Sequence, residues 1–441
     1  MIQKLHLKAP DNWINDPNGF IYYKGNYHLF YQYFPYAPKW GTMHWGHAVS
    51  KDLVNWEHKG IALFPTKYED QNGCFSGSAV EKDGKMHLFY TGVHYMETDP
   101  ENIHLCSNEQ FEASQLMISS EDGFRFDNFQ GKQVIIPAIT DKKKGDRTHT
   151  RDPKVWRGKD AWYMVIGSAT KEEGGKLLFY RSQDLSQWTY VNQVSKDNKL
   201  GWMWECPDYF ETKNGKVLVF SPMGIMKDGK LYENQAVCCL VEFDEETCAM
   251  KMPDTYQFLD YGLDLYAPQS TVDETGQRII TAWLRMPEAV DDKWNGMFCM
   301  PRIVEVKNEH IYFRLHPNLK KAYQKKIESP KEADEAGYCI HLDLEEGKSI
   351  LVGGYRISRK QGKIYTDRQN VFVKSEEYRM EFETPEVKEG FQLDIYVDRN
   401  MIEVYVNDGE YVISNVVYGL GKEIETDSET EYSLFTIDES E

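Results

Sequence analysis

Up to residue 284 the chain repeats one pattern five times. Each instance begins at a turn residue and continues into a run of alternating aromatic and β-branched side chains. The runs are GNYHLFYQY from Gly25, GKMHLFYTG from Gly84, DAWYMVIGS from Asp160, GKVLVFSPM from Gly215 and GQRIITAWL from Gly276, with starts 59, 76, 55 and 61 residues apart. Each gap holds further strand-like pieces and turn signals such as SKDLVNW, SSEDGFRF and SQDLSQW. Alternation of period two between turn residues reads as strand, and helical periodicity is scarce. Short strands recurring at a long period can be arranged radially as the blades of a β-propeller; an irregular all-β sandwich is the plainer alternative. The repeat predicts an all-β chain with a five-bladed β-propeller over residues 1–318.

The composition changes after that. Residues 319–336, LKKAYQKKIESPKEADEA, are charged with Tyr323 the one aromatic, and read as a short helix plus linker. Alternation resumes over 337–441 in YRMEFET and FQLDIYVDRNMIEVYVNDGEYVIS, with a hairpin turn at Asn407, Asp408 and Gly409. This predicts a C-terminal β-sandwich. It carries no chemical cluster, so its expected role is structural or in subunit contact, including homo-oligomer formation.

Charge and cysteine usage narrow the function. A net charge of -19 with no basic block argues against a nucleic-acid partner or an anionic membrane surface and suits an uncharged substrate. The start, MIQKLHLKAPDNW, has no apolar signal-like core, and no run of about 18 apolar residues occurs, so a cytoplasmic protein is expected. The eight cysteines form no C-x-x-C pair and have no histidine at zinc spacing, and His44 and His47 fall on opposite faces of a strand, so no metal or cofactor is expected.

The repeat also locates a cluster of acids. Asp16 in NWINDPNGF precedes Gly25 by nine residues, Asp152 precedes Asp160 by eight, and Glu205 precedes Gly215 by ten. If these are innermost strands, the three acids converge on one channel mouth. Phe75, Ser76 and Gly77 in the second unit and Tyr266, Ala267 and Pro268 in the fifth then line the remaining wall. Pro17, Pro153 and Pro207 suit strand edges, and Pro17 and Pro153 favour an extended backbone at Asp16 and Asp152. Crowded, dry carboxylates cannot all ionise freely, so at least one pKa should rise. A protonated acid beside an ionised one is the division of labour glycoside hydrolysis needs. Trp13, Trp40, Trp45, Trp202 and Trp204 offer flat faces for sugar C–H groups, and Asn15, Gln32 and Arg151 offer hydroxyl partners.

WINDPNG, FYQY, WGTMHWGHAVSKDLVNW, FSGSAV, RDPKVW, WECPD and LYAPQS, in that order from residue 12, resemble glycoside hydrolase family 32, the β-fructofuranosidase and invertase group. The resemblance implies a five-bladed propeller followed by a β-sandwich. It further implies Asp16 as nucleophile, Glu205 as general acid/base and Asp152 as the carboxylate holding fructose hydroxyls in the transition state. It places Asn15, Gln32, Trp40, Phe75, Ser76, Arg151 and Trp283 around the fructose. The implied reaction is retaining and exo-acting on terminal β-fructofuranosyl units of sucrose or short fructo-oligosaccharides, which predicts about 5 to 5.5 Å between the Asp16 and Glu205 carboxyls. Sucrose-6-phosphate hydrolysis, fructosyl transfer and non-catalytic fructan binding are the alternatives, with hydrolysis of arabinose-containing polymers further off. A phosphorylated substrate would need Lys39 or the run Lys142–Arg147 near the leaving group. Phe34 departs from the family's usual asparagine, and Cys206 beside the acid is either a packing thiol or a tuning group.

Overall fold

The computed structural model describes residues 2–170, 174–196, 200–333, 337–373, 375–427 and 430–437. It is almost wholly β. Blade I is formed by the strands Asn12–Tyr23, Asn26–Phe34, His44–Ser50 and Asn55–Leu63, and blade II by Cys74–Lys82, Lys85–Tyr95, Phe111–Ser120 and Gln133–Ile136. Blade III comprises Thr150–Arg157, Trp162–Thr170, Gly174–Ser182 and Thr189–Ser195. Blade IV comprises Leu200–Thr212, Gly215–Lys227, Val237–Asp244 and Ala249–Lys251, joined to III by the pairing of Ala169 with Met203. Leu265–Val272, Arg278–Leu284, Arg302–Lys307 and His310–Leu315 make blade V. The first strands of successive blades lie side by side and the fifth packs against the first, so the propeller closes. Trp294–Asn295, an excursion from blade V, pairs with Asn12 and Trp13 and fastens the ring.

Alternation explains why the recurring runs are apolar on both faces. In HLFY of blade II, Leu88 and Tyr90 join a core with Phe30 and Trp45 of blade I. Phe89 turns the other way, into a core with Met164 and Ile166 of blade III. Every blade is thus sandwiched between two neighbours, and both strand faces must be hydrophobic.

One irregularity recurs in every blade. On the first strand, three residue steps oppose two on the second: Ile14 to Pro17 faces Tyr33 to Tyr31, Cys74 to Gly77 faces Gly92 to Tyr90, and Arg151 to Lys154 faces Gly167 to Val165. Glu205 to Asp208 faces Ser221 to Val219, and Tyr266 to Gln269 faces Trp283 to Thr281. Five equivalent one-residue bulges therefore ring the axis, each redirecting side chains toward it. Asp152, Cys206 and Ala267, each just before a proline, have φ of 69°, 47° and 51°. The extended backbone predicted at Asp152 is not adopted; the bulge places it in the left-handed region, another way of avoiding the right-handed helical region that the following proline disfavours.

The C-terminal part packs a six-stranded sheet, ordered Tyr323–Ile327, Tyr432–Ile437, Tyr338–Asp343, Gln392–Asp398, Met401–Val406 and Tyr411–Val416, on a five-stranded one. The charged segment read as helix plus linker holds the helix Pro317–Ala322, capped by His316, and then the first strand of that sheet. Tyr323 and Ile327 are buried while the residues between them face solvent, so the high charge belongs to one strand face; residues 334–336 lie outside the described residues. One core runs through both units, from Phe210 and Ile280 to Tyr396 and Tyr405.

Candidate active site

The bulges bring the three acids together. A cavity of about 760 Å³ at the channel mouth is lined by Asp16, Asp152 and Glu205. It is lined equally by Asn15, Gln32, Trp40, Phe75, Ser76, Arg151 and Trp283, so all ten candidate residues share one space. The acids do not occupy one place in the repeat, however. Glu205 precedes its bulge, Asp152 is the first residue inside its own, and Asp16 is the second. Three successive positions on three blades project three carboxylates at different angles into one void.

Their surroundings differ. Asp16 accepts hydrogen bonds from Ser76 Oγ (2.5 Å) and Asn15 Nδ2 (3.1 Å), and Asn15 is itself fixed by Trp13 Nε1 at 2.8 Å. Gln32 Nε2 donates to Ser76 Oγ at 3.2 Å, which orients that hydroxyl. Asp152 accepts the Cys206 backbone N–H at 2.9 Å. The Cys206 sulfur lies 3.5 Å from Asp16 Oδ2 and 3.6 Å from Asp152 Oδ2, so one thiol bridges both acids. The thiol's hydrogen bonds therefore go to Asp16 and Asp152, the two acids other than its chain neighbour Glu205. Glu205 Oε1 accepts from Arg151 Nε and Nη2, both at 2.8 Å, and its other oxygen accepts from the Tyr266 hydroxyl.

Burial drives the electrostatics. Asp16 is raised above the ordinary carboxylate value by desolvation, opposed by the Ser76 bond and reinforced by the Glu205 charge. Asp152 is pushed up to about 7 by burial and then by Glu205, with Arg151 acting the other way. Burial, and then the three acids, raise the Cys206 thiol, keeping it protonated at neutral pH; Tyr266 is likewise raised by burial and Glu205. His149, lowered by burial and by Arg151, stays neutral at pH 7. Two buried polar atoms on the wall, Gln32 Oε1 and Trp283 Nε1, have no hydrogen-bond partner among the described residues.

Below the acids the axis is plugged. Lys154 Nζ donates to Asp208 Oδ2 (2.9 Å) and to the Ser270 carbonyl (2.7 Å), leaving between plug and acids a void of about 10 Å³ bordered by Ser76, Asp152 and Cys206. Space of that size holds about one water.

Some expectations fail. Trp45 and Trp204 are fully buried in blade cores: Trp204 because a strand neighbour of the inward-facing Glu205 points away, and Trp45 because it packs with Phe30 and Tyr90 between blades I and II. Trp13 supports Asn15 and packs edge-on against Trp283 at 5.8 Å, and does not line the cavity. Trp40 and Trp202 do line it. Phe34 is buried beside Gly41 and His104, outside the cavity. Lys39 and Lys142–Lys144 are exposed and lie outside it as well. Glu377 and Tyr378 of the sandwich reach the mouth, so that unit is not chemically silent; no local pattern marks them. Arg285, one residue past the strand Arg278–Leu284, lines the cavity as well, and its spacing of two from Trp283 is the local signal for it.

The family model for the glycosyl hydrolases family 32 N-terminal domain matches residues 6–317, and that for the family 32 C-terminal domain matches 310–440. The chain is 31% identical to the sucrose-6-phosphate hydrolase of Bacillus subtilis, over 93% of this chain and 88% of that one. It is 32% identical to the raffinose invertase of Escherichia coli, over 94% and 88%. Among solved structures it superposes on a Bombyx mori family 32 β-fructofuranosidase with TM-score 0.83 and 29% identity, covering 99% and 94% of the two chains; a mutant of that enzyme in complex with sucrose superposes equally well. The chain belongs to glycoside hydrolase family 32 and is a glycoside hydrolase.

Proposed function

We propose that the enzyme is a retaining, exo-acting β-fructofuranosidase with Asp16 as nucleophile, Glu205 as general acid/base and Asp152 as transition-state stabiliser. The observation that carries this reading is the meeting of the three carboxylates on one plugged cavity, two of them touching a single thiol. A terminal fructofuranosyl unit entering from the mouth stops above the Lys154–Asp208 plug, which favours attack at a chain end. Asp16, aimed by Ser76 and Asn15, bonds to the anomeric carbon as the glycosidic C–O bond breaks, and Glu205 delivers a proton to the departing oxygen. In the second half, Glu205 takes a proton from water, whose oxygen displaces Asp16 and frees fructose with retained configuration. Asp152, near neutrality when the site is empty, ionises more readily as positive charge builds on the sugar ring, so its grip on the hydroxyls strengthens in the transition state.

Asn15, Gln32, Trp40, Phe75, Ser76, Arg151 and Trp283 hold the fructose in this reading. We assign residues 1–318 to the catalytic propeller and 337–441 to the sandwich, the segment between them being the connection except for Tyr323–Ile327, which is the first strand of the sandwich's six-stranded sheet; self-association through the sandwich belongs to this reading. All eight cysteines are free thiols, in keeping with a reducing compartment such as the cytoplasm. Among the described residues no helix is long and apolar enough to cross a membrane. The test is release of fructose from sucrose, with the first-formed anomer read by NMR. β-Fructofuranose first is expected, and the inverted anomer or no release would overturn the reading.

A further inference from the structure

From the charge around the cavity mouth we infer that the leaving-group side selects an uncharged saccharide and rejects a phosphorylated one, with Asp99, Glu109 and Glu377 as the specificity-determining residues. This rests on the β-fructofuranosidase reading and deepens it. Two guanidinium groups line the cavity and both are engaged. Arg151 is held by Glu205, and Arg285 donates to the Leu263 carbonyl at 2.9 Å and lies 5.4 Å from the Tyr378 ring centre, next to Glu377. Among the described lining residues there is no lysine, and His149 is neutral at pH 7.

Against these stand Asp99 and Glu109, from the excursion between Lys85–Tyr95 and Phe111–Ser120 of blade II, and Glu377 from the sandwich. Glu109 and Glu377 are exposed and Asp99 half-exposed, so these three carboxylates face the solvent side of the cavity, the side from which a departing sugar must leave. A phosphate bears nearly two negative charges at neutral pH and is recognised by converging cations, preferably bidentate arginine. Here it meets three carboxylates, no lysine among the described lining residues, and one guanidinium, Arg285, that is bonded to a backbone carbonyl and faces a tyrosine ring. A neutral sugar meets instead the apolar face of Trp202, 45% exposed and braced edge-on by His149 at 5.1 Å. Arg285 would be the one residue able to turn to a phosphate, and Glu377, which precedes its ring partner Tyr378, lines the same cavity.

The test is kcat/KM on sucrose and on sucrose 6-phosphate for the full-length enzyme at low ionic strength. The wild type should prefer sucrose by about ten-fold or more, a preference that narrows as salt screens the mouth. The triple variant Asp99→Asn, Glu109→Gln, Glu377→Gln should shrink the ratio about ten-fold, through a lower KM for the phosphate. Arg285→Gln should leave the ratio within about two-fold. A wild-type preference for the phosphate, an unmoved ratio in the triple variant, or a collapse of phosphate turnover in Arg285→Gln would each overturn the inference while leaving fructose release intact. Loss of both activities in the wild type would instead overturn the β-fructofuranosidase reading and this inference with it.

Discussion

Two buried clusters of charge sit in this molecule, and they are built on opposite principles. At the seam between propeller and sandwich, His6 Nδ1 lies 3.0 Å from Asp398 and its Nε2 lies 3.2 Å from Glu403. Lys8 meets Asp398 at 2.9 Å, and Glu403 also accepts from Arg302 (3.1 Å), Tyr405 and the Met300 N–H. Most of these carboxylates have a cation within reach, and two respond accordingly: Glu403 falls to about 2 despite burial, through Arg302 and His6, and Asp398 is drawn well below its usual range through Lys8 and His6. Asp260 is the exception, raised by burial although Arg302 lies 2.9 Å away. At the channel mouth three carboxylates share one guanidinium, and Asp16 and Asp152 rise. Burial raises every one of these carboxylates; nearby cations outweigh it for Glu403 and Asp398 at the seam, and do not for Asp16 and Asp152 at the mouth. The seam ties the two units together, and the mouth gathers under-compensated carboxylates at a cost in stability.

The largest expected effect of breaking the contrast is on catalysis. Glu205→Gln should lower kcat on sucrose about 10⁴-fold with little change in unfolding midpoint, since it removes proton transfer and spares the seam. Glu403→Gln should do the converse. Leaving Arg302 and His6 without their shared anion should destabilise the fold by about 3 kcal/mol in urea titrations, while kcat of the folded enzyme stays within about two-fold. The seam also has a pH signature. The stability contributed by Glu403 and Asp398 is present above the ordinary carboxylate range and is lost as pH falls through their depressed values. His6 is raised by its two carboxylates in spite of burial, so its contribution is complete below its ordinary value and is lost as pH climbs through the raised one.

Asp152→Asn sharpens the comparison from the other side. A carboxyl at about 7 in the fold and 3.8 outside it costs stability increasingly between those values and fully above them. The variant should therefore be more stable than the wild type by about 2 kcal/mol at pH 8, converge with it below pH 4, and still lose about 10²-fold in kcat. Equal stability at both pH values would remove the claim that the mouth is held at a cost. The smallest effect is expected at the rim, where Trp202→Ala should raise KM about three-fold with kcat nearly unchanged.

How much of this was legible in the sequence follows from distance along the chain. The blades announce themselves because each is a local unit of strands and turns, and the acids could be assigned to one mouth because each lies at a fixed offset from a blade's second strand. The offsets of nine, eight and ten residues do not rank the acids by their places in the bulge, because hairpin geometry and a second register shift between Asn18 and Ile21 also enter, a detail that hydrophobic alternation does not encode. Trp204 is hidden for a related reason, since a strand neighbour of Glu205 faces the opposite way, and Trp45, far from the acids in sequence, belongs to the core between blades I and II. The seam was invisible, because His6 and Glu403 are 397 residues apart and no local pattern pairs them. Glu377 and Tyr378 were hidden likewise, as their place at the mouth depends on how the sandwich docks.

The most direct measurement is to trap the intermediate. Glu205→Gln, given a fructoside with an activated leaving group and quenched in acid, should carry one fructosyl unit on the peptide containing Asp16, and Asp16→Asn should carry none. A label on Asp152, or rapid fructose release with no enzyme-bound sugar and inverted configuration, would contradict the account.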